Sequence, residues 1–498
     1  MRRLFAFMTS VALAGCTVGP DYHPPLTAVP PAFVGPQPSG AIVDPATWWT
    51  VFGDATLDSL VARALAGNPD IAIATTRVRE ARLQEIAARA SGKPVVNANA
   101  NVTHVEFSKN AGFASLARQF SGGGSGGASG GSGSGSSGGI ALPGSGITTY
   151  ALGFDASWEL DIFGGVRRGV EGALARTDAA EWNRRDAAVV VAAEVAQAYF
   201  AMRLDQTQVA VIGEELDRQR GALRIAGEVA KVGLVPPIDV TRQRSSITNT
   251  EARVAPIRAD IAVRRHALAI LSGAPPATLD AELTRPLPAL SSVPAIPAGL
   301  PADLLRRRPD IRAAERNLGA ATADIGVAVA DLYPKFTLTG VVQLISSSLA
   351  TLFSGNSLQL TGAGAAQFPL IDWGRRGAAV DTRKAQRDEA YTRYRATVLG
   401  ALRDVEDALA RIDAERARRD ALTRAVVDAE ASVHAISSQY RTGFIAQDAL
   451  LNAESQLLSA REQVAGSDAQ LRQQTIALFK AMGGGWSDQG DPAMLLKQ

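Results

Sequence analysis

This 498-residue sequence has few cysteines and histidines, and neither positive nor negative charge is in large excess. Its one cysteine, Cys16, excludes an intramolecular disulfide and a cysteine-based zinc site. The four histidines are scattered without metal-ligand spacing, and no phosphate-binding Gly-Lys-Ser/Thr motif occurs. A formal net charge of +2 comes with no basic stripe for a nucleic acid. The sequence therefore predicts a protein that is not an enzyme, has no cofactor or metal, and binds no nucleic acid.

Apolar residues recur at every seventh position in two long stretches of the chain. The rungs of the first ladder are Val240, Ile247, Val254, Ile261 and Leu268, and those of the second are Leu450, Leu457, Val464, Leu471 and Leu478. Each rung of the second ladder lies 210 positions after its counterpart in the first. A strict period of seven predicts helices that wind around a neighbour in a left-handed coiled coil. The shared offset indicates that the chain contains one unit twice.

Alternation of apolar and polar residues predicts two strands in each half of the chain. Each run has about ten residues, the length that a tilted strand needs to cross a bilayer. Arg308-Pro309-Asp310 repeats Asn68-Pro69-Asp70 at an offset of 240, so the second half restarts the same order of elements. Four such strands are too few to close a barrel, and an open edge in lipid leaves backbone groups unpaired. We therefore expect the chain to oligomerise.

The N-terminus predicts a secreted, lipid-anchored protein. Arg2-Arg3 and an apolar run over 4–14 read as a secretion signal, too short to span a membrane. Leu13-Ala14-Gly15-Cys16 resembles the bacterial lipobox, after which the cysteine becomes the mature N-terminus and carries lipid. Residues 17–45 contain eight prolines and should form an extended strap.

The fold class that follows is mainly helical with a β-barrel. Each repeat would contain long antiparallel coiled-coil helices and one hairpin, giving two β-hairpins, or four strands, in each chain. The expected segments are a signal peptide at 1–15, a lipid-anchored strap at 16–50, a first repeat at 51–274, a proline-rich linker at 275–301, a second repeat at 302–482 and a tail at 483–498. Strands are expected at about 95–107, 148–160, 335–345 and 357–370. Helices are expected at about 55–92, 165–232, 237–273, 303–331, 375–440 and 446–482.

Short motifs follow one another in a fixed order along nearly the whole chain. They are Leu13-Ala14-Gly15-Cys16, Trp48-Trp49 with Phe52-Gly53-Asp54 and Leu57, Asn68-Pro69-Asp70, Asp161-Ile162-Phe163-Gly164, Arg308-Pro309-Asp310-Ile311, Leu332-Tyr333-Pro334, Asp372-Trp373-Gly374 and Tyr440-Arg441-Thr442-Gly443. With the duplication, this set resembles the outer-membrane efflux channels of the TolC and OprM kind, in the lipoprotein branch often called NodT-like. The resemblance implies a homotrimer with a twelve-stranded outer-membrane barrel and a periplasmic helical tunnel. It also implies docking to a periplasmic adaptor (membrane fusion protein) and an inner-membrane RND pump.

The resemblance also implies an aperture at the periplasmic end of the tunnel, just after two helix-to-helix bends at 233–240 and 443–452. Asp239 fits the first bend, although a helix N-terminus favours an acid there in any case. At the second bend Asn452 stands where OprM-like members have aspartate, and Asp448 lies four residues earlier. Arg441 either latches the closed state or covers the bend. The candidate aperture residues are thus Asp239, Arg441, Asp448 and Asn452.

The function predicted in this way is a passive conduit that exports small amphipathic compounds or drugs as part of a tripartite, RND-type system. The protein would lie in the outer membrane, contact its lipid, be anchored at Cys16 and extend into the periplasm. A channel of the same fold that secretes proteins is an open alternative. A non-conducting coiled-coil surface scaffold is disfavoured, because such a stalk needs no repeated barrel hairpins.

Overall fold

The structure is a computed structural model that describes residues 17–25, 33, 44–106, 146–233, 236–284, 307–442 and 444–486. The predicted signal peptide, Cys16, the Gly/Ser-rich segment at 121–139 and most of the predicted linker and tail lie outside these residues. By internal contacts the chain divides into two units. The first, here called the strand unit, comprises Met1–Asp21, Glu85–Gly172 and Thr322–Lys384. The second, the helical unit, comprises Tyr22–Gln84, Ala173–Ala321 and Ala385–Gln498.

Eight helices and four strands account for most of the described residues. The helices are α1 (Ala55–Gly67), α2 (Pro69–Ser91), α3 (Gly165–Lys231), α4 (Pro237–Ala252), α5 (Val254–Leu271), α6 (Pro309–Ala330), α7 (Arg375–Arg441) and α8 (Gln447–Ala481). The strands are β1 (Val95–Glu106), β2 (Gly146–Leu160), β3 (Lys335–Ser346) and β4 (Leu358–Gln367). Short helical turns at Pro45–Phe52, Pro276–Leu279, Asp280–Leu283, Leu349–Thr351 and Gly355–Ser357 complete the set. The mainly helical chain with four strands agrees with the fold class predicted from sequence.

Prolines interrupt two of the helical stretches expected from sequence, at Asn68-Pro69-Asp70 and near Pro256. Asn68 separates α1 from α2 with ψ near 130°, because a residue before proline is driven to an extended conformation. Its side-chain oxygen accepts a hydrogen bond from the Asp70 amide at 2.8 Å and so caps α2. Between α4 and α5 the ladder of apolar residues continues, yet the helix breaks at Ala252. Pro256 explains this break, since a proline ring crowds the carbonyl four residues before it.

The four strands form one antiparallel sheet in the order β1-β2-β3-β4. β1 and β4 are its edges, and their side chains are exposed along the whole length of both strands. β4 ends at Gln367, three residues before the bound predicted from alternation. Pro369 follows closely and has no N–H to donate to a ladder, which is the physical reason for the shorter strand.

The described start of the strap is fixed within the strand unit by Arg168, whose side chain is buried. Its guanidinium donates hydrogen bonds to the carbonyl oxygens of Val18 at 3.2 Å and Gly19 at 3.3 Å, and to Asp21 at 2.6 Å. The Val18 amide donates to the Phe163 carbonyl at 3.1 Å. The residues immediately after Cys16 are therefore held in a defined position beside the turn that follows β2.

The main core of the helical unit is aromatic. The fully buried Trp48 stacks on Phe479 with 5.2 Å between ring centroids, and Phe52 packs against Phe200 at 4.8 Å. Among the described residues one helix, α3, is long and apolar enough to cross a membrane by length and composition, with 56% of its most apolar window buried. Because Val195 and other residues of that window belong to this core, α3 is a packed helix, as the sequence predicts.

The predicted ladders form the seams between helices. On α8, Leu450, Leu457, Leu471 and Leu478 are buried, and Val464 is partly buried. Leu471 and Leu478 share a second hydrophobic cluster with Val398, Val405, Leu409 and Ile412 of α7, and Leu402 packs against it. Together these five residues of α7 step by four and three. Heptad spacing therefore identified the faces along which these long helices pack.

Candidate functional site

Each repeat of the helical unit contains one sharp bend between two long helices. In the first repeat α3 ends at Lys231 and α4 begins at Pro237, and in the second α7 ends at Arg441 and α8 begins at Gln447. Gly233 has φ of +76°, a left-handed conformation that glycine adopts without strain. Pro237 is suited to a first helical position because the fixed φ of proline matches the helix. Local sequence thus sets where α4 begins.

The first turns of α4 and α8 are joined by an arginine that sequence reasoning missed. Arg242 donates from Nη1 to both carboxylate oxygens of Asp448, at 3.2 Å and 3.4 Å. The same Nη1 lies 3.7 Å from Oδ1 of Asp239. One cation therefore bridges the two acids that the sequence proposed for the aperture, one from each repeat. The only local signal for Arg242 is its position three residues after Asp239, on the same helix face.

The two acids differ in how far they are exposed. The Asp239 side chain is 15% exposed and that of Asp448 is 60% exposed, with Arg242 between them at 48%. The exposed pair of Arg242 with Asp448 contributes about 0–1 kcal/mol of stability and is weakened by salt. The bridge is therefore strong enough to bias a conformational equilibrium and weak enough to be broken.

The other two predicted residues lie outside this bridge. Arg441 is the last residue of α7; it is exposed and, among the described residues, makes no ion pair. Asn452 is exposed on α8, one turn after Asp448 and on the same helix face. Tyr440, next to Arg441, is half-buried. Its burial is the larger cause, and the nearby Asp239 carboxylate the smaller cause, that raises the pKa of its hydroxyl. Tyr440 thus belongs to the Asp239 side of the site.

Below the arginine bridge, buried amides connect α4, α8 and α3. Gln447 donates from Nε2 to Oε1 of Gln243 at 3.1 Å, and both side chains are buried. Gln243 donates in turn to the backbone carbonyl of Gln219 at 3.3 Å, and Gln219 donates to Glu215 at 2.7 Å. These contacts link residues 204 positions apart in the chain. Sequence reasoning missed this chain of hydrogen bonds, because an isolated glutamine on a helix carries no signal of burial.

The buried amides form a layer together with a buried carboxylate of α8, that of Glu454. Arg218 of α3 pairs with the buried Glu215 and lies 3.9 Å from Oε1 of Glu454. The other oxygen of Glu454 is buried without a hydrogen-bond partner among the described residues. Burial raises the pKa of the Glu454 carboxyl, and the charge of Arg218 partly opposes this rise. The layer therefore holds an acid whose ionised form is poorly stabilised.

No arrangement for a metal or for catalysis emerges from the described residues. Among them, no group of three or more histidine, cysteine, aspartate or glutamate side chains is placed to hold a metal ion. The acids of the site are instead paired with arginines. What such an arrangement can do is hold two helix starts together through charge and hydrogen bonds that are open to disruption.

Comparison with known proteins decides which family has this architecture. The family model described as outer membrane efflux protein matches residues 60–274 and 300–484, and so covers most of both repeats. The chain belongs to the outer membrane efflux protein family. The two matched ranges are separated by a gap at 275–299, and the predicted linker at 275–301 spans this gap.

Relatives in this family match the chain along nearly its full length. Nodulation protein T of Rhizobium leguminosarum bv. viciae is 29% identical over 486 residues, which is 97% of this chain and 94% of that protein. The probable efflux pump outer membrane protein TtgC of Pseudomonas putida is 28% identical over 495 residues, 97% of this chain and 95% of that protein. The solved structure of the outer-membrane channel OprN has 31% identity and a TM-score of 0.83, covering 95% of this chain and 100% of that one.

Membership in the outer membrane efflux protein family assigns both location and general role. The protein is an outer-membrane efflux channel that extends into the periplasm, as the sequence predicted. Channels of this family are not enzymes. The predicted lipid attachment at Cys16 lies outside the described residues and stays a prediction, as do the aperture roles of Asp239, Arg441, Asp448 and Asn452.

Proposed function

We propose that three copies of this chain form a passive duct that exports small amphipathic compounds for a tripartite, RND-type pump. The observation that carries this proposal is the sheet with two bare edges. β1 has 12 residues and β4 has 10, and each strand is paired on one side within the chain. In lipid an unpaired edge leaves several backbone groups without partners, which only closure into a barrel avoids. Neighbouring copies supply the missing strands.

The helical unit supports the same assembly. α2 and α7 carry large apolar side chains that are exposed in one chain, including Ile73, Leu83, Leu399 and Val427. Coiled-coil helices of this length need neighbours along more than one seam. In a trimer these faces would pack against the helices of the next copy and continue the wall of a tunnel.

The proposed partners are a periplasmic adaptor and an inner-membrane RND pump. This assignment is supported by family membership and by TtgC, whose name describes an efflux pump outer membrane protein. The subunit itself would carry out no chemistry, so the pump supplies the energy. Substrate choice would then be made upstream of the duct.

In this proposal the bridge formed by Asp239, Arg242 and Asp448 keeps the periplasmic aperture closed at rest. It joins the first turns of α4 and α8 across the two repeats, at the bends where the tunnel would narrow. Because Arg242 and Asp448 are exposed, a partner that docks at the bends can compete for their pairing. Conductance recordings on purified trimers in planar bilayers would test whether the trimer is a conduit, since a scaffold without a pore would give no channel events.

Lipidation at Cys16 would tether the strap to the inner face of the outer membrane. The buried Arg168 supports this role, because it fixes Val18 and Gly19 a few residues after the predicted anchor. Labelling cells with radioactive palmitate tests the anchor. The wild-type protein should take up label, and a Cys16→Ser protein that is labelled equally would refute the assignment.

Accumulation of an amphipathic fluorescent dye tests the export role. Cells that lack the chain should retain more dye than cells in which it has been restored. Equal retention in a strain without other such channels would argue against small-molecule export. In that case the proteins released into the medium should differ between the two strains if the channel secretes proteins.

A further inference from the structure

The two hairpins of the sheet have the same register when the repeat offsets are applied. Val95 on β1 faces Ser157 on β2, and Lys335 on β3 faces Gln367 on β4. Adding 240 to the β1 number and 210 to the β2 number turns the first pair into the second. The duplication therefore extends to individual backbone pairs, and equivalent strands can be superposed residue by residue.

The seam between the repeats, β2 with β3, has its equivalent at the two bare edges. Moving β2 forward by 210 and β3 back by 240 gives β4 and β1. Phe154 faces Val342 across the closed seam, and the shifted numbers are Gly364 and Val102. We propose that β4 of one copy pairs antiparallel with β1 of the next so that Gly364 faces Val102 and Ala366 faces Ala100. This inference rests on the proposed trimer and specifies its seam.

The two faces of the sheet agree with this register. One row across the strands consists of Ala100, Leu152, Leu344 and Leu358, and the adjacent row consists of Asn99, Gly153, Gln343 and Gln359. In the proposed seam Ala100 meets Ala366 on the apolar face, while Asn99 meets Gln367 on the polar face. A slip of one residue would place Asn99 beside Ala366 and mix the two faces. Parity thus excludes every register displaced by an odd number of residues.

The same offsets extend to the turn that follows each hairpin. Phe163 stacks on Tyr333 at the end of the closed seam, with 4.6 Å between ring centroids and 21° between planes. Their equivalents at the open edges are Trp373 and Lys93. Trp373 is 96% exposed and has φ of 55°, a conformation rarely adopted by a bulky residue. In the proposed seam the indole of Trp373 covers Lys93 of the next copy in a cation–π contact.

Cysteine cross-linking tests the register, and the sequence suits it because Cys16 is the one native cysteine. The facing pair is Ala100→Cys with Ala366→Cys in one chain. A matched intrachain control is Ala156→Cys with Gly340→Cys, the equivalent pair in the closed seam. A displaced control is His104→Cys with Ala366→Cys, which keeps the parity but shifts the register by four residues. Each single variant measures the background of intermolecular disulfides.

Outer membranes are oxidised with copper phenanthroline and run on a denaturing gel without reductant. We expect covalent dimers and trimers from the facing pair, monomers with an internal disulfide from the intrachain control, and background bands from the displaced pair. Covalent oligomers from the displaced pair in place of the facing pair would overturn the register.

Dye retention measured in the same cells separates the seam from the export role. Normal export together with cross-links only from the displaced pair would reject the register and keep the duct. Specific cross-links from the facing pair, together with dye retention that is the same with and without the chain, would support the seam and reject the export role.

A double-mutant cycle tests the contact between Trp373 and Lys93 by the temperature at which trimers dissociate on a gel. Trp373→Ala and Lys93→Ala should each lower that temperature by a few degrees, and the double variant should lower it no further. Lys93→Arg should retain it, because a guanidinium also binds an aromatic face. Ile371→Ala, in the same exposed segment, is the matched control. Additive effects of the two substitutions would reject the contact.

Discussion

The two helix bends occupy equivalent places in the duplicated chain, yet their polar side chains differ. An offset of 210 maps Val240 onto Leu450 and Ile247 onto Leu457, so the apolar ladder is retained. The same offset maps Asp239 onto Ala449 and Arg242 onto Asn452. The first bend thus carries an acid and Arg242, and the second carries Asp448 with no cation at the position equivalent to Arg242. Arg242 pairs with Asp448 across the repeat boundary.

This difference shows how a duplicated unit acquires contacts between its halves. Apolar rungs are under the same packing demand in both repeats and stay alike. Polar positions at the bends pair with each other, so complementary residues are favoured over identical ones. The buried layer follows the same rule, since Gln243 pairs with Gln447 although their equivalents are Ala453 and Pro237.

Reversing the cation should have the largest effect on this complementarity. Arg242→Glu would place three carboxylates together and remove a bridge of about 1 kcal/mol in each copy. Over three copies the total of about 3 kcal/mol corresponds to a change of roughly a hundredfold in the ratio of open to closed channels. We expect a large rise in the open probability of single trimers in planar bilayers.

The reciprocal change provides the control for that experiment. Arg242→Glu combined with Asp448→Arg restores opposite charges across the repeats and should return the open probability toward wild type. Arg220→Ala, an exposed arginine whose partner Glu251 lies in the same repeat, should leave it unchanged. If Arg220→Ala opens the channel as strongly as Arg242→Glu, the bridge is not specific.

Removal of the buried amide should reduce stability. Gln447→Ala leaves Oε1 of Gln243 buried without its donor, which costs about 1–3 kcal/mol. The free energy of unfolding of the purified protein should fall by that amount in a denaturant titration. Gln456→Ala changes the same residue type at an exposed position of α8 and should have almost no effect. Equal loss in both variants would show that Gln447 holds no special contact.

A smaller, pH-dependent effect is expected at Glu454, where the first repeat has the exposed Arg244. Because burial raises its pKa in the folded state, the protonated form is favoured there. Stability from this group is present at acid pH and is lost as pH rises through the folded-state pKa. Glu454→Gln should therefore unfold at a higher temperature than wild type at neutral pH, with the difference vanishing in acid. Glu389→Gln, exposed on α7, should show no such convergence.

The smallest effect concerns Asn452, the counterpart of Arg242. Asn452→Asp adds a carboxylate one turn after Asp448, and clustered carboxylates at a pore concentrate negative field. Block of the single-channel current by divalent cations should become several-fold stronger. Unchanged block would remove Asn452 from the constriction and leave Asp239 and Asp448 as its acids.

Much of the fold could be predicted because local pattern is enough to specify it. Heptads identified the buried faces of α8, and alternation located all four strands within a few residues. An error arose where proline mattered more than pattern, as at Pro369, which follows the early end of β4. The candidate site was only half predicted: Asp239 and Asp448 were named, whereas Arg242, Gln243 and Gln447 were missed.

The sequence by itself determined the duplication, the helix seams and the hairpins, since each depends on the spacing of residue types along one element. Only the tertiary structure decided which side chains of the two repeats meet. Arg242 and Asp448 lie 206 positions apart, and their contact depends on how two coiled-coil helices align along their axes. Repeat offsets identify which residues are equivalent in the two halves. They do not identify which side chains are in contact at the bends, because those contacts are set by packing across the whole helical unit.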